Sequence, residues 1–183
     1  MPRLPQVPSA CPADTPARRR GFLRGALVLS LMGPSLTRAL EMPAAPVVLT
    51  LSGRVRNTNV GATAQFDMPM LERLPQKTFS TRTPWYSQAR SFTGPLLRDV
   101  LAAAGAKGTV LRAVALNDYW VDIPMDDAAR YDMIIARLMD DKPMVVRDKG
   151  PLFIVYPFDS KSELRSTIYY SRSAWQLRTI EVQ

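Results

Sequence analysis

From residue 47 onward the apolar positions fall into short runs whose period changes along the chain. Val47, Leu49, Leu51, Gly53 and Val55 alternate with more polar neighbours from Thr50 onward, which predicts an opening strand with one buried face. Asp67 suits a helix N-cap, and a short helix through Met70, Leu71 and Leu74 follows it, with Pro69 in its first turn and Pro75 closing it. Thr78 to Thr83 is β-prone and ends at Pro84. Gly94-Pro95 opens the clearest helix, with Leu96, Leu97, Val100, Leu101 and Ala104 on one face before Gly105 stops it. Strand periods then dominate, at Thr109 to Leu116, Tyr119 to Ile123, Met133 to Met139, Leu152 to Tyr156 and Trp175 to Val182, with Asp126 capping one helical turn between them. Many short strands with a few short helices, and no internal repeat, predict an α+β fold with a mixed, rolled sheet rather than a doubly wound parallel one.

Composition then removes whole chemistries. The 183 residues include no histidine, and the one cysteine, Cys11, lies in the first dozen residues. A Ser-His-Asp triad, His-ligated metals, disulfides and a thiolate nucleophile are therefore excluded from the body of the chain. The net charge of +8 divides equally: residues 1–45 hold six Arg against Asp14 and Glu41, and residues 46–183 hold eighteen basic against fourteen acidic residues. A body at +4 without clustered Lys/Arg runs favours small anionic ligands and argues against nucleic acid.

Residues 1–45 read as a leader and 46–183 as the packed domain, since eight of sixteen prolines fall within the first 46 residues and fourteen of fifteen aromatics after them. Arg18-Arg19-Arg20 and Gly21-Phe22-Leu23-Arg24 precede an apolar run, Gly25 to Met32, too short to cross a bilayer. That is a signal-peptide layout, and Arg19 to Arg24 resembles the twin-arginine export signal. Small residues near the cut allow cleavage after Ala39 or after Ala45. The expected home is the bacterial periplasm, where a domain without cysteine is held together by its core alone.

Four ordered blocks carry a further resemblance. Lys142-Pro143-Met144-Val145-Val146-Arg147-Asp148-Lys149-Gly150-Pro151-Leu152-Phe153-Ile154-Val155-Tyr156-Pro157 resembles the segment of the sulfite-oxidase (oxidoreductase molybdopterin-binding) fold in which a Pro-led strand, a polar turn ending in Gly and a second strand line the pterin pocket. Ser171-Arg172-Ser173-Ala174-Trp175 resembles the stretch leading into that family's last strand, and Phe92 to Leu101 and Asp118-Tyr119 through Pro124 resemble its helix and pocket strand. Family enzymes present a molybdenum-binding cysteine after the first helix, where this chain reads Phe79-Ser80-Thr81-Arg82-Thr83-Pro84-Trp85. A hydroxyl such as that of Thr83 does not replace a soft thiolate donor. The combination resembles the small periplasmic pterin-binding, PruR-like branch of the fold. It implies a non-enzymatic pterin sensor, without metal, for an inner-membrane cyclic-di-GMP enzyme or histidine kinase. The alternative it leaves is a molybdopterin-dependent oxidoreductase lacking a protein thiolate.

A pterin needs stacking faces and a few fixed polar groups. Trp85 could stack on the ring or pack in the core; Trp175 reads as the packed start of a strand. Arg147, Asp148 and Lys149 could be a solvated hairpin turn or, on the resemblance, pocket residues, with Gly150-Pro151 allowing close backbone approach. Asp148 or Asp118 could accept both donor hydrogens of the pterin edge as a carboxylate. Asn117, Asp118 and Tyr119 would face the ligand on the family's pocket strand, and Ser171, Arg172 and Ser173 would bind a phosphate-bearing tail. Arg90, Tyr169 and Tyr170 are weaker candidates, and Asp126-Asp127 reads only as a helix cap and its neighbour.

Overall fold

The computed structural model describes residues 40–183; the twin-arginine motif, the apolar run and the cleavage position after Ala39 lie outside the described residues. The order of elements is β1 (Val47–Gly53), β2 (Ala64–Asp67), α1 (Met68–Arg73), β3 (Gln76–Thr81), β4 (Arg90–Pro95), α2 (Leu97–Ala103), β5 (Val110–Ala115) and β6 (Trp120–Pro124). There follow α3 (Met125–Arg130), β7 (Ile134–Ala136), β8 (Leu138–Met139), β9 (Lys142–Pro143), β10 (Phe153–Val155), α4 (Thr167–Ser171) and β11 (Leu177–Val182).

The largest sheet has five strands in the order β2-β1-β11-β5-β6. It is mixed, because the last strand of the chain inserts parallel to β1 and antiparallel to β5. A second sheet runs β3-β4-β8-β9, and β10 pairs with β7 in a third. Alternation explains the large sheet: Leu49, Leu51, Phe66, Leu111, Ala113, Ile123, Ile180 and Val182 are buried in one contiguous core with Leu97 and Val100 of α2. Strands β7 and β10 are buried at every position, so they show as unbroken apolar runs rather than alternation.

Several sequence expectations need correction. Gly94-Pro95 does not open α2 but ends β4, a strand the Gly-Pro signal concealed. The N-cap of α3 is Pro124, and Asp126 lies inside its first turn. The Arg147–Gly150 segment is not a hairpin turn: β9 pairs with β8 and β10 with β7, so the strands on either side belong to different sheets. It forms one 3-10 turn, Val146–Asp148, ended by Lys149 in the left-handed conformation (φ 72°).

Asp67 caps α1 as expected, and its carboxylate accepts from the backbone N–H of Met70 at 2.8 Å. It also accepts from Ala44 and Ala45, at 2.8 and 2.9 Å, which ties the segment before β1 to the domain. Burial alone would raise its pKa, but those three N–H groups and the Arg73 charge bring it below the ordinary 3.8. A carboxyl held below its unfolded value contributes stability that is present above that value and lost as pH falls through the folded one. Asp67→Ala is therefore expected to cost about 1–2 kcal/mol at neutral pH. Urea unfolding measured from pH 6 downward should show the gap to the parent closing below the ordinary carboxylate value.

Candidate functional site

The turn after β3, the β5–β6 turn and α4 converge on a cleft of about 440 Å³. Two indoles, Trp85 and Trp175, form one wall, packed on each other edge to face with ring centroids 5.5 Å apart. Trp85 is anchored from behind by Phe153 and Phe158, at 5.5 and 6.3 Å, so it is both core and cleft wall. Trp175 precedes β11 rather than beginning it, and Gln176 in the left-handed region (φ 52°) redirects the chain into Leu177. Tyr170 lies 6.2 Å from Trp85, and the half-exposed Tyr119 lines the cleft across from α4.

Polar groups in the lining offer both acceptors and donors. The hydroxyl of Ser171 donates to Ile168 O (2.8 Å) and that of Ser173 to Tyr169 O (3.0 Å), so each keeps its lone pairs for a ligand. Asn117 Oδ1 accepts from the Tyr119 N–H at 3.2 Å, while its amide donor makes no hydrogen bond among the described residues. Beside this wall the Lys149 ammonium stands 3.8 Å from the Trp175 ring centroid. Burial lowers the Lys149 pKa, with Asp148 opposing the effect.

Six candidate residues thus meet in the cleft: Trp85, Asn117, Tyr119, Ser171, Ser173 and the weaker candidate Tyr170. Lys149 reaches it through Trp175. Asp118, with φ 64°, turns to an ion pair with Arg178, and the side chain of Arg147 is 88% exposed, 3.8 Å from Asp148. Neither Asp118 nor Asp148 lines the cleft, so a carboxylate clasp on a pterin edge is not built here. Gly150 serves packing: a Cβ there would lie 2.1 Å from Met144 O. Arg172 points away to the buried Asp127 (2.9 Å), which also accepts from the Tyr156 hydroxyl at 2.8 Å. Burial and the Asp127 charge push the Tyr156 phenol far above its ordinary range. Thr167 and the helical form of α4 escaped sequence reading, because Thr167-Ile168-Tyr169-Tyr170 is β-branched and aromatic and carries no helix signal.

The cleft has the size and lining that a flat heteroaromatic ligand requires. Its volume lies in the range of small-molecule pockets, about 300–1,000 Å³. Two indoles offer flat faces, and the Asn and Ser oxygens accept from amino and ring N–H groups. A metal held by protein ligands fits poorly, since no three of His, Cys, Asp and Glu converge among the described residues. Thr83, in the segment where the resemblance puts a cysteine, is 8% exposed, and its Oγ1 is buried without a hydrogen-bond partner among the described residues.

No protein-family model matches the chain, and no curated protein does. Among solved structures it is similar to the crystal structure of the sulfane dehydrogenase SoxCD from Paracoccus pantotrophus, with a TM-score of 0.55 and 18% identity. The match covers 73% of this chain and 37% of that one. The chain has the sulfite-oxidase-like fold. The likeness extends to architecture alone, and the chain spans little more than a third of the neighbour's length.

Proposed function

We propose that this protein is a periplasmic, non-enzymatic pterin sensor whose liganded form regulates an inner-membrane signalling enzyme, a cyclic-di-GMP enzyme or a histidine kinase. The observation that carries this reading is the indole-walled cleft with its acceptor oxygens, in a molybdopterin-binding fold without a cysteine beyond residue 11. A pterin would stack against Trp85 or Trp175 and donate to Asn117, Ser171 and Ser173 oxygens. Contact with Trp175 meets the Lys149 ammonium, and through it the 3-10 turn with the exposed Val145, Val146 and Arg147 side chains. A partner that binds one arrangement of that turn better is then governed by ligand, by no more than the ligand's differential affinity for the two states.

The test is to denature protein purified from its own periplasm and assay the released small molecules by fluorescence and mass spectrometry, with a molybdenum assay alongside. Pterin without molybdenum is expected, with Trp175→Ala lowering affinity about tenfold or more, as loss of an aromatic stacking face does. Molybdopterin with stoichiometric metal would instead make the protein an oxidoreductase lacking a protein thiolate. No bound pterin, or partner binding that ignores it, would leave a scaffold with an unused pocket.

A further inference from the structure

We infer that the protein carries a second ligand site, a cationic cleft for a small organic anion with a carboxylate or phosphoryl head and a compact apolar body. The cleft holds about 370 Å³ and shares no lining residue with the first. Three cations reach it: Lys77 from β3, Arg130 from the end of α3, and Lys161 from the loop after β10.

Their neutralisation is unequal. Asp132, the carboxylate in the lining, is already shared between Lys77 and Arg98, whose guanidinium lies 2.8 Å from it. Arg130 and Lys161 have no carboxylate within 4.0 Å among the described residues. Both charges stand instead over the ring of Tyr131, 5.4 and 5.2 Å from its centroid. Tyr131 is 3% exposed, and its hydroxyl is occupied by Glu163 and Tyr169, so the ring is a fixed floor. A cation–π contact holds such groups in place but leaves their N–H donors unused. Two unpaired cations converging on one concavity focus a positive potential there, and an oxyanion bridging them would relieve it.

The apolar part of the ligand follows from the other walls. Phe79 and Pro157 line the same cleft, with the Ser160 hydroxyl beside them as a further donor. A volume near 370 Å³ is several times that of a bare oxyanion, so the space and the apolar walls select a body as well as a head.

The test is an amide NMR titration of the full chain at low salt with benzoate, phenyl phosphate and inorganic phosphate. Arg130→Gln and Lys161→Gln serve as variants; both side chains are exposed, and unchanged signals elsewhere verify their folds. Saturable shifts centred on Tyr131, Ser160 and Lys161 are expected for benzoate or phenyl phosphate, whichever head fits. Each variant should weaken binding about tenfold, and added salt should weaken it further. Trp175→Ala should leave this affinity unchanged, which separates the site from the pterin cleft. The inference is overturned if no probe saturates, if both variants bind as tightly as the parent, or if the shifts centre on Trp175. Inorganic phosphate binding as tightly as phenyl phosphate would overturn the apolar body.

Discussion

Asp127→Ala is expected to lower the unfolding free energy by about 2–3 kcal/mol, because it strips the acceptor from the buried Tyr156 phenol and from the part-buried Arg172 guanidinium. Asp127 is 5% exposed, and its one oxygen Oδ2 receives both the Arg172 guanidinium and the Tyr156 hydroxyl. Removing it leaves a guanidinium and a phenol without an acceptor, and the cost of unmet polar groups exceeds the net worth of the bonds. The damage also reaches the first cleft, since Arg172 closes the end of α4, which supplies Tyr170 and Ser171 to the cleft wall. Urea unfolding of the full chain measures the loss. The triple replacement Asp127→Leu, Arg172→Met, Tyr156→Phe removes all the polar partners together and is expected to cost less than Asp127→Ala alone. A loss for Asp127→Ala of under about 1 kcal/mol would place the pair among ordinary surface bridges and refute this account.

Gly94→Ala is expected to cost about 3 kcal/mol or more and to drive much of the protein into the insoluble fraction. A Cβ at Gly94 would stand 1.9 Å from Ile135 O and 2.9 Å from Ala136 Cα, all backbone of β7. Backbone in a buried strand does not swing aside as a side-chain tip does, so β4 and β7 must separate. Ile135 and Ala136 are fully buried and carry the ladder to β10, so the separation opens the core beneath Phe92 and Phe153. Circular dichroism and urea unfolding of the soluble fraction check the outcome. A variant with the parent's midpoint would mean that β7 is free to move.

The same position shows why part of the fold was illegible. Locally, Gly94-Pro95 is helix-opening punctuation, whereas in the structure glycine is there because another strand passes against it. That contact joins residues about forty apart in the chain and leaves no local trace. Lys142 to Val155 misled for a related reason: strands flanking a turn usually pair with one another, but here each pairs elsewhere. Asp127 looked like a cap neighbour because its partners, Tyr156 and Arg172, are distant in sequence.

The candidate site divides in the same way. Trp85, Asn117, Tyr119, Ser171 and Ser173 are legible because the order of motifs along the chain resembles that of the fold family, and the structure brings them to one cleft. Arg172 and Gly150 belong to the same motifs but face inward, one to a buried carboxylate and the other to Met144 backbone. Motif spacing specifies where along the chain a residue stands, not which way its side chain turns.

By itself the sequence determined the α+β class, the alternating strands of the large sheet, the Asp67 cap and the absence of histidine and thiol chemistry from the domain. Those are local or compositional properties, set by period-two burial, capping geometry and residue identity. Tertiary structure alone decided the insertion of β11 beside β1, the edge-to-face packing of two indoles in one cleft wall, and the gathering around Tyr131 of two cations that lack a carboxylate partner among the described residues. Each of these depends on segments far apart in the chain, and their contacts are chosen by packing and charge in three dimensions, which no local pattern encodes.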